Sequence, residues 1–318
     1  VKQAEAPPDA SWSGPSHPGV KSPSPIVMPD PARRFAATAA RLDHLATGHP
    51  MEPWLRFLAR LARAQHRVST TLAPAGMVDP QAVARATEAR MPPLAADGHH
   101  RDASWREGLT SVLDHVQHPD ADLPPATLDA IDTLRHTDIA ALEGQANNFL
   151  RGHVPPADIG AAVFIAAALQ VYFTGSAARL DAADLRLLEQ RSLCPCCGSP
   201  SVSGVITATG LIPGTRYLYC SMCSTAWNHT RTVCVTCGGT RKLTQEGIEG
   251  DAGLVKLETC AECHTYSKLL YQVRDTQVDP YADDLASLGL ELMVSEEGFA
   301  RHAPNPLLLT GDSEEDIG

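Results

Sequence analysis

Aromatic residues make up only 5% of this 318-residue chain, and it lacks any apolar run long enough for a bilayer span. The most apolar stretch, Ile159 to Phe173, is interrupted by Gln170 and falls short of the roughly 20 residues that a membrane helix needs. It reads as a buried helix, and no membrane insertion is expected. A basic surplus is missing as well. Formal net charge is -11, and residues 276–318 hold one basic side chain against ten acidic ones. Phosphate binding wants the opposite balance, so nucleic acid is not an expected partner. Residues 1–32, rich in Pro, Ser, Ala and Asp, lack the apolar core of an export signal. Catalytic signatures are also absent: no P-loop, no His-Glu-x-x-His, no Gly-x-Ser-x-Gly and no flavin or nicotinamide fingerprint. An enzyme is not expected.

Cysteine is what the chain does have. Nine cysteines without an export signal imply a cytoplasmic, reducing setting, where Cys-x-x-Cys pairs hold metal or do redox work. Four such pairs follow one another: Cys194/Cys197, Cys220/Cys223, Cys234/Cys237 and Cys260/Cys263. The loop inside each half of this series is 22 residues long, so C-x2-C-x22-C-x2-C occurs twice. Two thiolates from one tight turn and two from another close a tetrahedral shell suited to zinc or a single iron. Equal loops favour pairing of consecutive turns, 194/197 with 220/223 and 234/237 with 260/263, over a cross-braced arrangement. Gly198 and Gly238 follow the leading pairs and permit the backbone angle that aims amide N–H groups at sulfur. The second turn of each unit lacks that glycine. Cys196, inside the first pair, reads as a bystander thiol with a lesser role as substitute ligand or oxidisable group. His229 and His264 lie beside ligand turns, but eight thiols already close both shells. His49, His99, His100, His115 and His118 have no ligand-like spacing and read as surface or packing residues.

The chain divides by composition. Residues 1–30, with Pro7-Pro8, Gly14-Pro15 and a Ser-Pro repeat, read as a disordered leader. Residues 31–190 are rich in Ala and Leu and read as an all-α domain. A first helix places Phe35, Ala39, Leu42 and Leu45 on one stripe, and a second, with Pro53 in its first turn, places Leu55, Leu58, Leu61 and Ala62 inward. Further helices are expected near 80–90, 103–117, 125–134, 137–150, 156–174 and 180–190, with Pro-Pro pairs at 92, 124 and 155 marking breaks. Short β-type runs follow at 201–207, 215–219, 254–259 and 266–273, with Tyr217 and Tyr219 facing a small core. They belong to a first four-cysteine module at 191–232 and a second at 233–275. Modules this small are not stable by apolar burial alone, whereas structural zinc contributes roughly 10–16 kcal/mol. Residues 276–318 hold a terminal helix, 282–294, with Asp283 and Asp284 in its first turn and Leu285, Leu288, Leu292 and Met293 as its packing face, then an acidic tail at 312–316. The expected class is therefore α+β: an N-terminal helical domain, two tandem small metal-binding modules and a C-terminal helix. A closed four-sulfur shell leaves no open position for substrate, though a mononuclear iron site could shuttle an electron as in rubredoxin.

With these motifs in place, the chain closely resembles the FdhE family of formate dehydrogenase accessory proteins. The likeness is carried by Arg41-Leu-Asp-His-Leu-Ala-Thr-Gly-His-Pro50, Trp54-Leu-Arg-Phe-Leu-Ala-Arg-Leu-Ala-Arg-Ala-Gln65 and Phe164-Ile-Ala-Ala-Ala-Leu-Gln-Val-Tyr-Phe173. It continues through Cys194-Pro-Cys-Cys-Gly-Ser199, Arg216-Tyr-Leu-Tyr-Cys-Ser-Met-Cys-Ser-Thr-Ala-Trp227, Glu258-Thr-Cys-Ala-Glu-Cys263 and Ala282-Asp-Asp-Leu-Ala-Ser-Leu-Gly-Leu290. Cys196 stands where an apolar residue is expected and Ala226 where an acidic one is common; neither touches the ligand set. The resemblance implies a cytoplasmic maturation factor that binds the catalytic subunit of a respiratory formate dehydrogenase. It also implies rubredoxin-like or zinc-ribbon-like modules, with two metal ions per chain on the eight paired cysteines and iron favoured over zinc. The alternative function is a rubredoxin-like electron-transfer or redox-sensing iron protein. Self-association into a homo-oligomer is compatible with this reading.

Overall fold

The apolar stretch around residue 165 becomes the central helix of the protein, Ile159–Ala177. It is apolar on every side, so only a site enclosed by other helices can satisfy it. The computed structural model describes residues 22–72, 78–118, 122–210, 212–247 and 252–308. Its helical part runs α1 (Pro31–Ala46), α2 (Glu52–Thr71), α3 (Pro80–Glu88), α4 (Ser104–Val116), α5 (Pro125–His136), α6 (Ile139–Leu150) and α7, the central helix. Helices α1, α2, α4, α5 and α6 all pack on α7. The expectation of a run too short to span needs correction: the helical segment Pro156–Ala177 is long and apolar enough to cross a bilayer by length and composition, because it extends beyond Phe173, but 72% of its apolar window is buried inside the protein. The stripes expected on the first two helices face this core: Phe35, Ala39 and Leu42 on α1, and Leu55, Leu58, Leu61 and Ala62 on α2, are all buried. Asp30, Asp79 and Asp138 cap α1, α3 and α6 by accepting backbone N–H bonds, which fixes where those helices start.

The cysteine-bearing half folds as one sheet. Its strands are β1 (Ile26–Val27), β2 (Ser201–Ile206), β3 (Arg216–Cys220), β4 (Ala226–Asn228), β5 (Leu243–Glu246), β6 (Val255–Cys260), β7 (Thr265–Tyr271) and β8 (Ala300–Arg301). The order is β1-β4-β3-β2-β7-β6-β5, with β8 also on β7. Each repeat makes the same antiparallel meander, β2-β3-β4 in the first and β5-β6-β7 in the second. A parallel pairing of β2 with β7, Gly204 opposite Leu269, welds the two meanders together. The two units are thus neighbours in a continuous sheet, a connection that the cysteine spacing does not disclose.

Several expectations need correction. Residues 22–30, placed in a disordered leader, carry β1, with Ile26 buried and the Pro25 carbonyl accepting from Asn228 N–H at 2.9 Å. A proline can flank an edge strand because only its carbonyl is needed there. The rest of that leader, 1–21, and the acidic tail, 312–316, lie outside the described residues. No α-helix forms over 180–190: Asp181 caps a single 3-10 turn, Ala182–Asp184, after which Leu185 becomes extended. Leu185 and Leu188 are buried from that extended segment instead. On β3 the fully buried face is Arg216, Leu218 and Cys220, because the cysteine must point to its partners; on the other face Tyr219 packs half-buried against a small core, as expected, while the Tyr217 hydroxyl donates to the Ser24 carbonyl at the surface.

The terminal helix breaks into α8 (Ala282–Ala286) and α9 (Leu288–Glu296). The Ser287 hydroxyl bonds the carbonyls of Asp283 and Asp284, and the Asp284 carbonyl also accepts from Lys268 Nζ at 2.5 Å. Those acceptors are diverted from the helical ladder, which bends the chain. As a result Leu290 and Val294 face the sheet, whereas Leu292 and Met293, expected to pack, are exposed.

Asp283 and Asp284 do more than balance a helix dipole. The Asp283 carboxylate takes a fork of hydrogen bonds from Arg41 on α1, at 2.7–3.2 Å, and tethers the helical part to α8. Asp284, fully buried, accepts from Arg301 at 2.6 Å and Asn305 at 2.7 Å and pairs with buried Lys268 at 3.4 Å. Glu291 completes this cluster by contacting both Lys268 and Arg301. Removing one charge from such a set strands the others without solvent. Asp284→Ala is expected to lower unfolding free energy by about 3–5 kcal/mol, read from urea midpoints at unchanged slope.

Candidate metal centres

The eight paired cysteines converge as two groups of four: Cys194, Cys197, Cys220 and Cys223 in one, Cys234, Cys237, Cys260 and Cys263 in the other. Pairing is between consecutive turns, as equal loops favour. Within each group the sulfurs lie within 4.8 Å of one another. Cys194–Cys223 and Cys197–Cys220 stand 3.5 and 3.4 Å apart, and Cys234–Cys263 and Cys237–Cys260 both 3.8 Å. These separations are far beyond a disulfide bond of about 2.05 Å. A tetrahedron built on metal–sulfur bonds of about 2.3 Å has edges of about 3.8 Å, so both groups fit a four-sulfur metal shell.

Local chain geometry explains the convergence. Gly198 and Gly238 take φ of +77° and +73°. At the matching point of each second turn, Ser224 and His264 take φ of +62° and +53° without being glycine. The first turns match bond for bond. Cys194 N–H reaches the Ser199 carbonyl at 2.9 Å and Cys234 N–H the Gly239 carbonyl at 2.8 Å. Backbone N–H groups of Cys196, Met222 and Cys223 point at first-centre sulfurs, and that of Gly239 at Cys237. Such donors stabilise thiolate charge. Thr225 and Thr265 place hydroxyls 3.2 and 3.0 Å from the last sulfur of each group.

The electrostatics also call for a cation. Burial pushes the Cys194 and Cys220 thiols well above their ordinary pKa. Burial opposes ionisation of Cys223 too, but hydrogen bonds with Cys194, Cys196, Cys197 and Cys220 outweigh it and take that thiol well below its usual value. Four thiolates together in that buried pocket need a bound cation to offset their mutual repulsion and lost solvation. Cys196 is fully buried beside the first group but is not one of its four. Its carbonyl accepts from Leu94 N–H at 2.9 Å, so its backbone anchors the turn. His229 and His302 are held neutral, with pKa near 4, by burial and the proximity of Arg216. His264, on its left-handed backbone, packs on Phe299. Of the isolated histidines, His49 ties the α1–α2 turn to the Ala286 carbonyl at 3.0 Å, and His99 lies against Tyr172 and Phe173.

Surroundings separate the centres. The first is part of the main core: Gln170 on α7 donates to the Ser221 carbonyl at 2.9 Å, and Tyr281 hydroxyl to the Cys220 carbonyl at 3.0 Å. Ser224 lies between Arg34, which donates to its hydroxyl at 2.9 Å, and Thr174 at 3.2 Å. Leu94 and Ala96 N–H groups bond the Cys196 and Cys197 carbonyls. None of these supporting residues carries a spacing signal. Gln170 alone offered a clue, as an isolated amide in an apolar helix. The second centre sits on the sheet edge, with Cys237 exposed and Cys263 half-buried.

Three family models cover most of the chain: FdhE, N-terminal, over 23–189; FdhE, central domain, over 193–231; and FdhE, C-terminal domain, over 232–308. The last spans both the second cysteine unit and the terminal helices. A curated protein of Stutzerimonas stutzeri called Protein FdhE homolog is 37% identical over 290 residues, 90% of this chain and 93% of that one. A protein of the same name from Edwardsiella ictaluri is 35% identical over 296 residues, 91% and 92% of the two chains. The crystal structure of the FdhE protein from Pseudomonas aeruginosa superposes with a TM-score of 0.80 at 33% identity, covering 91% of this chain and all of that one.

The two knuckle glycines separate backbone from packing effects. A Cβ on Gly238 meets nothing within 4 Å, whereas one on Gly198 stands 3.1 Å from Pro92. Gly238→Ala is expected to cost about 1–2 kcal/mol, the left-handed penalty alone. Gly198→Ala should cost about 1 kcal/mol more from crowding, as compared by thermal unfolding of the two variants.

Proposed function

The chain belongs to the FdhE family, and from that membership we propose that it is a non-enzymatic accessory protein for formate dehydrogenase maturation, acting in the cytoplasm on the catalytic subunit. One observation carries the reading: both cysteine groups are arranged as closed four-sulfur shells, and the first is built into the junction of helices and sheet. A closed shell holds structure and presents surface, because no coordination position is left for a substrate. The residues that would hold the two ions are Cys194, Cys197, Cys220 and Cys223, and Cys234, Cys237, Cys260 and Cys263. A bound metal would neutralise the thiolates and lock the four knuckles. Soft sulfur donors accept iron or zinc, and iron is the reading favoured by the family resemblance.

Around those centres the chain itself supplies the supporting work. Arg34, Thr174 and Gln170 fix the second knuckle of the first centre against the helices. Thr236, Thr265 and His302 form a hydrogen-bonded chain of 2.8 Å contacts that steadies the first knuckle of the second. Both sets hold surface-bearing loops in one geometry, which is what recognition of a folded or folding partner requires.

The test is co-purification with the formate dehydrogenase catalytic subunit from cells expressing a tagged chain. Wild type is expected to retain that subunit and to restore formate oxidation in cells lacking the accessory protein. Replacing all eight paired cysteines with serine should abolish both. Undiminished binding and enzyme maturation by the eight-serine variant would contradict a metal-dependent role.

A further inference from the structure

We propose that the two centres divide their work: the first is a permanent staple, and the second exchanges its metal with the surroundings while the chain stays folded. Cys237 is the ligand that opens, and Glu262 is the carboxylate that receives an entering or leaving cation. This rests on the metal-holding reading of the eight cysteines given above.

The asymmetry is physical. At the first centre all four sulfur-bearing residues are at most 1% exposed, and the main core, α7, α1 and the 94–96 segment enclose them. Opening one of those ligands means parting the junction of helices and sheet. At the second centre Cys234 and Cys260 are buried, at 5% and 1% exposure, but Cys237 is exposed and Cys263 half-buried. Thr236, Gly238, Thr240, Arg241 and Lys242 around that knuckle are exposed as well. The neighbouring strand β5 is the sheet edge, bonded on one side only.

The second centre can therefore open without wider cost. Strands β6 and β7 are held independently of it by the β2–β7 pairing, the buried Arg216–Glu258 bond at 2.9 Å and the Lys268–Asp284 cluster. Local openings of this kind draw on little of the global stability.

Glu262, exposed between Cys260 and Cys263, aims its carboxylate at the same rim. It fills the space a Cβ on Gly239 would take, and Cys237 Sγ lies 3.3 Å from that point. In the exchange step the metal–sulfur bond to Cys237 breaks heterolytically and the thiolate leaves with both electrons. The Glu262 carboxylate would take the freed position, oxygen or nitrogen donors of the acceptor would then displace the Cys263, Cys260 and Cys234 thiolates in turn, each keeping its electron pair, and protons from solvent would neutralise the four released thiolates. No electron is transferred, and no oxidant is needed.

The experiment uses the full chain as purified, with ions per chain counted by native mass spectrometry during incubation with EDTA and folding followed by far-ultraviolet circular dichroism. One ion is expected to leave at least about tenfold faster than the other, with the dichroism unchanged. Iodoacetamide present during that phase should mark Cys237 and Cys263 before any first-centre cysteine. Glu262→Gln should slow the fast phase without changing the number of ions bound at the start, and Cys237→Ser should remove that phase and leave one ion on a folded chain. Loss of both ions at one rate, loss only with unfolding, or first labelling at Cys194, Cys197, Cys220 or Cys223 would each overturn the division of work. An unchanged fast phase in Glu262→Gln overturns the part assigned to that carboxylate. A chain that carries no ion at the outset overturns the metal-holding reading itself, a result distinct from equal rates.

Discussion

Everything in this fold leans on the burial of four cysteine side chains at one point. The first centre sits where α7, the loop before α4 and the sheet meet, and each of these gives it a hydrogen bond or a packed face. Four thiolates gathered there without a cation would repel one another, and burial already pushes the Cys194 and Cys220 thiols well above their ordinary pKa. A divalent or trivalent ion there would tie the 194–197 knuckle to the 220–223 knuckle, and the helices dock on that pair through backbone bonds from Leu94 and Ala96 and through apolar packing. One hydrophobic cluster runs from the helical body into the sheet around this point.

Buried charge supplies the second set of ties. Arg41 reaches from α1 to Asp283, Arg34 stacks 3.3 Å above the Tyr281 ring, and Lys268, Asp284, Glu291 and Arg301 bind the terminal helices to β7 and β8. Pairs of this kind are weak evidence for stability in themselves, since desolvation consumes much of their attraction. Their geometry is selective, however. An arginine fork meets a carboxylate in one orientation, so they specify where α8 docks even where they add little to its affinity.

Sequence carried much of this and stopped at identifiable places. The repeated spacing located all eight thiols, and its equal loops favoured the consecutive pairing in which the sulfurs are grouped. Apolar periodicity located α1 and α2, and proline pairs marked the helix breaks. What remained hidden were effects of tertiary context. The 180–190 segment has helical composition, yet Leu185 and Leu188 bury better when it runs extended. Ser287 looks like an ordinary helical residue until its hydroxyl and Lys268 claim the same carbonyls. The left-handed turns at Ser224 and His264 had no glycine to announce them. The β2–β7 pairing joins residues about 65 apart in sequence, and no local pattern records such a contact. The exposure difference between the centres belongs to the same class: identical motifs, set apart only by what folds over them.

The central claim is that both cysteine groups are metal centres of four sulfurs and nothing else. X-ray absorption at the metal edge of the protein, purified anaerobically, tests it most directly. The account predicts two ions per chain, each with four sulfur neighbours at about 2.3 Å and no oxygen or nitrogen in the first shell. A shell containing oxygen or nitrogen donors, or cysteines recovered as disulfides without metal, would contradict it.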